Sequence, residues 1–420
     1  MNLLSRFLQY TSFTTTSNEN SDSCPSTNSQ LDFAHYLADE LKAIGMSRVT
    51  VDSNGYVYGM LPATPGFEQE PPIGFISHMD TAPDFSGENV HPQVIENYDG
   101  KDVLLKGSGE TLKVAEFPEL ALMKGKTLIT TDGKTLLGSD DKAGIAEIVT
   151  AMERLNKAQP RPLPHGEIWV GFTPDEEIGR GADRFGLSYF RAKYAYTVDG
   201  GEEGEISYEN FNAATATFEI HGKSVHPGEA KGVLKNAALI AAEIVSTLPK
   251  NETPATTENR EGFYHLIHLE GGVSNAKLTY LIRDHDQLQF EKRQSYLKQL
   301  AEIFNSKFGG TPDQKTVSVE IKPSYANMAQ VLKNHPSVLN RAMAAIRKAG
   351  LNPIEKPIRG GTDGAKLSFA GLPCPNLGTG GYAFHGPFEH VTKEGMEAVV
   401  QILLNIAAPF RESAIQTPTP

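Results

Sequence analysis

Cysteine is scarce in this chain of 420 residues: only Cys24 and Cys374 are present, far apart and without a Cys-x-x-Cys spacing. That excludes a disulfide framework and a cysteine-built zinc site, and it fits a reducing, cytoplasmic compartment. Long apolar runs are missing too. No stretch of about 18 apolar residues occurs, so neither a spanning helix nor a membrane partner is expected. Leu3, Leu4, Phe7 and Leu8 recur at helical spacing, but the long apolar core and small-residue cleavage site of a secretory signal are not there. Basic clusters are equally lacking. With 39 Lys and Arg against 51 Asp and Glu, the formal net charge is -12, and no nucleic-acid partner is expected, because phosphate binding relies on gathered cations. His-Glu-x-x-His and Gly-x-Ser-x-Gly do not occur. Gly125-Lys126-Thr127 and Gly133-Lys134-Thr135 resemble the end of a phosphate-binding loop, yet Leu120 and Leu128 stand where glycine is required upstream.

What remains is an ordinary globular composition, 39% hydrophobic and 21% charged, on a chain long enough for two domains. Leu31, Ala34, Leu37, Leu41 and Ile44 mark a helix that stops at Gly45, and Val49 to Met60 reads as strand, turn, strand. Three short apolar strands then each end on a polar group. Ile73 to Ser77 runs into His78, Glu167 to Thr173 into Pro174-Asp175-Glu176-Glu177, and Tyr194 to Val198 into Asp199. Between them a helix from Lys142 to Leu155 opens on Asp140-Asp141. Strands alternating with helices predict an α/β fold with a mixed, mainly parallel sheet, whose ligands gather beyond the carboxyl ends of the strands.

From about Phe211 the texture changes. Alternating Ala214, Ala216, Phe218 and Ile220, a helix near Leu234 to Leu248, strands at Phe263–Leu269 and Lys277–Asp284, a helix from Leu288 to Phe308 and a strand from Thr316 to Lys322 give the split βαβ order of a ferredoxin-like unit. Residues 211–322 are therefore read as an inserted domain, and 1–210 with 323–420 as the main one. The latter resumes with a helix near Ser337 to Ala349 and ends with one from Lys393 to Ala407, before a loose tail at Thr417-Pro-Thr-Pro.

A two-metal hydrolytic site needs oxygen and imidazole ligands, a bridging carboxylate and an open position for water. His78, Asp140 or Asp141, Glu176 or Glu177, Asp199 and His385 supply such a set, and Asp80 is spaced to orient the His78 imidazole. Taken singly, each has a plainer reading: a histidine capping a strand end, an Asp pair capping a helix, a solvated Glu pair, an Asp-Gly turn. Their repeated placement at strand ends and helix starts on one expected rim is what points to metal.

The segments Ser77-His78-Met79-Asp80-Thr81-Ala82-Pro83-Asp84, Ser139-Asp140-Asp141-Lys142-Ala143-Gly144, Thr173-Pro174-Asp175-Glu176-Glu177, Tyr196-Thr197-Val198-Asp199-Gly200-Gly201, Val225-His226-Pro227-Gly228 and Pro357-Ile358-Arg359-Gly360-Gly361-Thr362-Asp363-Gly364 resemble the signatures of the peptidase T family. That family of tripeptide aminopeptidases belongs to the aminoacylase and glutamate-carboxypeptidase group of two-zinc hydrolases. The resemblance implies that His78 and Asp199 hold one zinc, Glu177 and His385 the other, and Asp140 bridges both. It implies Glu176 as general base, Asp80 as orienter, His226 as an oxyanion donor from a partner subunit, and Arg283 and Arg359 as binders of the peptide's terminal carboxylate. It also implies short-peptide substrates, two zinc ions per subunit and a homodimer formed through the inserted lid domain. Two departures, Ala383 and the Val273-Ser274-Asn275-Ala276 segment, bear on side-chain preference and touch no expected ligand. The competing expectations are a carboxypeptidase or N-acyl-amino-acid deacylase with the same cluster, and a metal-free scaffold that uses the inserted domain as a partner surface.

Overall fold

The computed structural model describes residues 1–158 and 162–410; the Thr417–Pro420 tail lies outside the described residues. The chain forms two compact units, one of Met1–Tyr208, Met328–Lys356 and Thr362–Pro420, the other of Glu209–Asn327 with Pro357–Gly361. The second unit is therefore drawn wider than the expected 211–322. Pairing explains the difference: the strand Val317–Tyr325 still meets Asn212–His221 at Ala213↔Tyr325, and Ile358 bridges Asn210.

In the first unit an eight-stranded sheet is built from β1 (Ser47–Val51), β2 (Val57–Leu61), β3 (Ile73–His78), β4 (Ile168–Thr173), β5 (Tyr194–Gly200), β6 (Glu205–Ser207), β7 (Ile354–Glu355) and β8 (Asn376–Gly378), in the order β1-β2-β4-β3-β5-β8-β6-β7. The central run β4-β3-β5-β8 is parallel, and antiparallel pairs flank it, so the sheet is mixed and mainly parallel. β3 and β4 are buried at every position, which is why they read as unbroken apolar runs and not as alternating ones. A smaller antiparallel sheet orders Gly381–Tyr382, His390–Thr392, Leu128–Thr130 and Gln93–Ile95. Strands of two or three residues carry no periodic signal, and neither this sheet nor β6, β7 and β8 is visible in the sequence pattern.

Helices α1 (Leu3–Thr11), α2 (Ser29–Ala43) and α3 (Ser139–Lys157) are tied together by Arg6. Its fully buried guanidinium donates to Glu40 of α2 at 2.8 Å and to Thr150 and Glu153 of α3 at 2.7 Å each. A fixed planar fork with five donors suits one cation serving three helices. Among the described residues no helix is long and apolar enough to cross a membrane.

The second unit runs strand, helix, strand, strand, helix, strand. Its antiparallel sheet orders Phe263–Gly271, Asn275–Asp284, Asn212–His221, Val317–Tyr325, and the helices Ala237–Thr247 and Gln287–Lys307 share its apolar core. The first of these helices begins later than the expected Leu234, because the Asn236 side chain caps it by accepting from the Leu239 N–H.

α3 reaches the ends of β3 and β5 only because position 144 is glycine. A methyl group there would lie 2.0 Å from the Val198 carbonyl, 2.4 Å from an Asp141 carboxylate oxygen and 2.5 Å from the Ser77 hydroxyl. Gly144→Ala is expected to lower stability by about 1–3 kcal/mol, the range for overpacked cores. Urea denaturation checks this, and an unchanged midpoint would contradict the close approach.

Candidate metal centre

Parallel pairing delivers the first two ligand candidates. Ile76 of β3 faces Thr197 of β5, so His78 and Asp199, each two residues further along, emerge side by side. His78 Nε2 lies 3.4 Å from Asp199 Oδ1 and 2.9 Å from Asp140 Oδ1. The other oxygen of Asp140 faces His385 Nε2 at 3.3 Å, and the same nitrogen lies 3.1 Å from Glu177 Oε2. His78, Asp140 and Asp199 thus form one group of donor atoms within 4.8 Å of one another, and Asp140, Glu177 and His385 form a second. Asp140 belongs to both.

The adjacent acids that spacing could not separate take different directions. Asp140 and Asp141 have non-helical dihedrals at the start of α3. Asp141 turns its carboxylate to the His78 backbone N–H at 3.1 Å, while Asp140 faces the imidazoles. Glu177 joins a donor group and Glu176 does not. Asp80, fully buried, differs from expectation in detail: His78 Nδ1 is 3.0 Å from the Asp80 carbonyl oxygen and 3.4 Å from its carboxylate. The two carboxylate oxygens accept the N–H groups of Glu176 and Glu177 at 2.9 and 3.1 Å, fixing the turn that presents both acids. Asp175, at φ 60°, is anchored by Ser26 and Gln30 of the N-terminal region.

Two acids not singled out in the sequence also belong here. Asp84 lies 3.6 Å from His385 Nδ1. Glu389 is buried and accepts from Leu137 N, Gly138 N, Ser139 Oγ and Asp140 N at 2.7, 3.0, 2.6 and 3.0 Å. Its only sequence signal is an acid four residues after His385, too common a pattern to single it out.

His226, Arg283 and Arg359 belong to the second unit. His226 caps the Pro227–Glu229 turn, its ring nitrogen accepting from Gly228 N at 3.2 Å. Arg283 donates to the Ile282 carbonyl and lies over the Tyr325 ring. Arg359 is more heavily engaged: its terminal nitrogens donate to Asn259 O, Glu261 O and the backbone and hydroxyl of Thr257, and its guanidinium lies over Phe211 and Phe263.

The profile of "Peptidase family M20/M25/M40" matches residues 130–408. A protein named Peptidase T from Caldanaerobacter subterraneus subsp. tengcongensis is 51% identical over 405 residues, covering 96% of this chain and 97% of its own. The chain belongs to the M20/M25/M40 peptidase family. Among solved structures, aminopeptidase PepT from Bacillus cereus superposes with a TM-score of 0.75 at 23% identity, covering 96% of this chain and 97% of that one. The YXEP protein of Bacillus subtilis, a dinuclear metal-binding peptidase of the M20 family, does so at 0.66 and 15% identity, covering 96% of each. At those identities the two structures show the shared fold.

The electrostatics of this M20 peptidase favour cations. Among the described residues Glu177 Oε1 is buried with no hydrogen-bond partner, an acceptor suited to an ion. Burial, then Asp140, pushes Glu177 up to about 8; burial pushes Asp199 up to about 6 against the pull of His78. Burial alone would depress His78, but Asp199, Asp140 and Asp80 hold it well above the ordinary range. His385 is raised to about 11 by its contacts with Asp140 and Glu177. Imidazole and carboxylate donors suit zinc and other first-row divalent ions, so the residues fit a metal pair. Every raised group must lose its proton to become a ligand, so metal affinity is expected to rise as pH climbs from about 6, through about 8, towards about 11, with protons released on binding. Calorimetry in buffers of different ionisation enthalpy measures that release; a pH-independent affinity with none would contradict this electrostatic account.

Proposed function

We propose that this chain is a cytoplasmic, two-zinc aminopeptidase that releases the N-terminal residue from short peptides, tripeptides above all. The observation carrying the proposal is Asp140, one carboxylate offering separate oxygens to two histidine-containing donor groups, in a chain half-identical to a Peptidase T. His78 and Asp199 would hold one ion, Glu177 and His385 the other, and Asp140 both. When bound, the ions supply Lewis-acid chemistry that lowers the pKa of water and polarises a peptide carbonyl.

Glu176 is the proposed general base. Its backbone N–H is fixed by Asp80, and its carboxyl is held well above the ordinary range by burial, then by Asp199 and Asp363. Bound cations would favour the ionised form of that carboxyl. It then takes a proton from the water adding to the scissile carbonyl and passes it to the departing amine. Asp80 sets the direction of both this base and the His78 ring. By the family resemblance, His226 donates to the oxyanion, and Arg283 and Arg359 bind the peptide's terminal carboxylate. Because Arg359 already spends both terminal nitrogens on residues 257–261, the larger share is assigned to Arg283.

The homodimer is proposed through the second unit. Support comes from its edge strand Phe263–Gly271, where Ile267 and Leu269 are about half exposed at 49% and 54%. The two free cysteines, Cys24 and Cys374, accord with the cytoplasm. A carboxypeptidase or deacylase with the same cluster would differ in which end of the substrate it requires free.

Hydrolysis of di-, tri- and tetrapeptides, with and without chelator, tests the reading. Tripeptides are expected to be cleaved fastest from the amino end, with activity lost to chelator and restored by zinc. Preference for N-acylated amino acids, or for release of the C-terminal residue, would overturn it. Glu176→Ala is expected to retain zinc and lose about 10²–10⁴ in kcat; normal turnover in that variant would remove Glu176 as the base.

A further inference from the structure

Asp140 sits at a point in the chain where regular structure cannot hold it. It is outside helical geometry, follows Gly138 at φ 77°, and its backbone N–H has no helical partner because α3 is only beginning. Four successive residues, Leu137 to Asp140, direct three N–H groups and one hydroxyl at a single buried carboxylate, Glu389. Glu389 Oε2 takes Leu137 and Gly138, and Oε1 takes Ser139 and Asp140. The acceptor comes from the same turn as His385: Gly386 and Glu389 are joined by a backbone hydrogen bond, and Thr131 donates to the Pro387 carbonyl. One carboxylate thus locks the segment carrying the shared ligand candidate to the segment carrying His385.

We infer that Glu389 is a positioning residue for the metal pair, holding Asp140 so that its two oxygens face both donor groups. This rests on the proposed two-ion site. A carboxylate is needed at position 389 and an amide will not serve. Glutamine offers one oxygen and one NH2 group, and all three backbone groups facing it are donors. With its oxygen toward Leu137 and Gly138, its NH2 can donate to a rotated Ser139 hydroxyl but opposes the Asp140 N–H. Glu389→Gln therefore releases the backbone of Asp140 while keeping size and shape. Glu389→Asp keeps the charge and draws it back by one methylene.

The experiment titrates zinc into metal-free wild type, E389Q and E389D, with circular dichroism and unfolding midpoints of the metal-free proteins recorded alongside. Both ions are expected to bind at least about tenfold more weakly to E389Q, and to a lesser degree to E389D, the loss usual for groups that orient a ligand. Because Asp140 is shared, the two affinities should fall together. In the zinc-saturated enzyme, kcat for a tripeptide should fall while KM stays near the wild-type value. Wild-type affinity for both ions in E389Q would overturn the inference, as would loss of folding in both variants, since Glu389 would then support the fold and not the ligand. A wild-type protein that does not bind two ions would instead refute the two-ion site itself.

Discussion

Buried negative charge in need of a counter-charge is the constraint on which the rest of the site depends. Asp140, Glu177 and Asp199 meet within donor distance of two imidazoles, with Glu176 and Asp363 close enough for their charges to be felt. Carboxylates removed from water are costly unless paired, and a protein resolves such crowding by protonation or by cations. The pull towards protonation appears here. Glu177 and Asp199 are shifted towards their neutral forms, and both histidines towards their charged ones. Asp363, at the start of the Asp363–Phe369 helix and bonded to Thr173, is likewise pushed up to about 7, chiefly by burial. A polypeptide gains little from assembling such a cluster for its own stability, so its presence argues for an ion-dependent task.

The scaffold answers this constraint with parts of different stiffness. His78 and Asp199 ride on adjacent buried parallel strands, where backbone pairing sets their separation. Asp140, Glu177 and His385 come from turns, and each turn is held by a buried carboxylate or by a strained backbone. Asp80 grips the Glu176–Glu177 amides, Glu389 grips the Leu137–Asp140 segment, and His385 adopts φ 63° after Ala383 at 53°. Positive φ at non-glycine residues is uncommon and is kept where surrounding structure enforces it. Oriented amides around carboxylates serve as fixed partial charges in this arrangement.

Much of this was legible in the sequence because short apolar runs closed by polar residues mark buried parallel strands. Such runs put His78, the Glu176–Glu177 pair and Asp199 on one expected rim without any contact information. Neighbouring acids were not separable that way. Asp140 and Asp141 differ only by how the chain turns at the non-helical start of α3, and Glu176 and Glu177 by which one the Asp80-held turn points at His385. The Asp80 carbonyl contact with His78 and the four-donor grip of Glu389 were invisible for the same reason: they join positions distant in sequence through backbone groups that every residue possesses. The short strands around His385 were missed because two or three residues show no period. The second unit's strand and helix order was readable from alternation, yet its edges were not, since Tyr325 and the Pro357–Gly361 return are defined by pairing partners.

The direct measurement is an anomalous-difference map collected at the zinc edge from crystals of the zinc-loaded protein. Two peaks are expected about 3.5–4 Å apart, the spacing of paired catalytic ions, with one oxygen of Asp140 directed at each. A single peak, or a pair that Asp140 does not share, would contradict it.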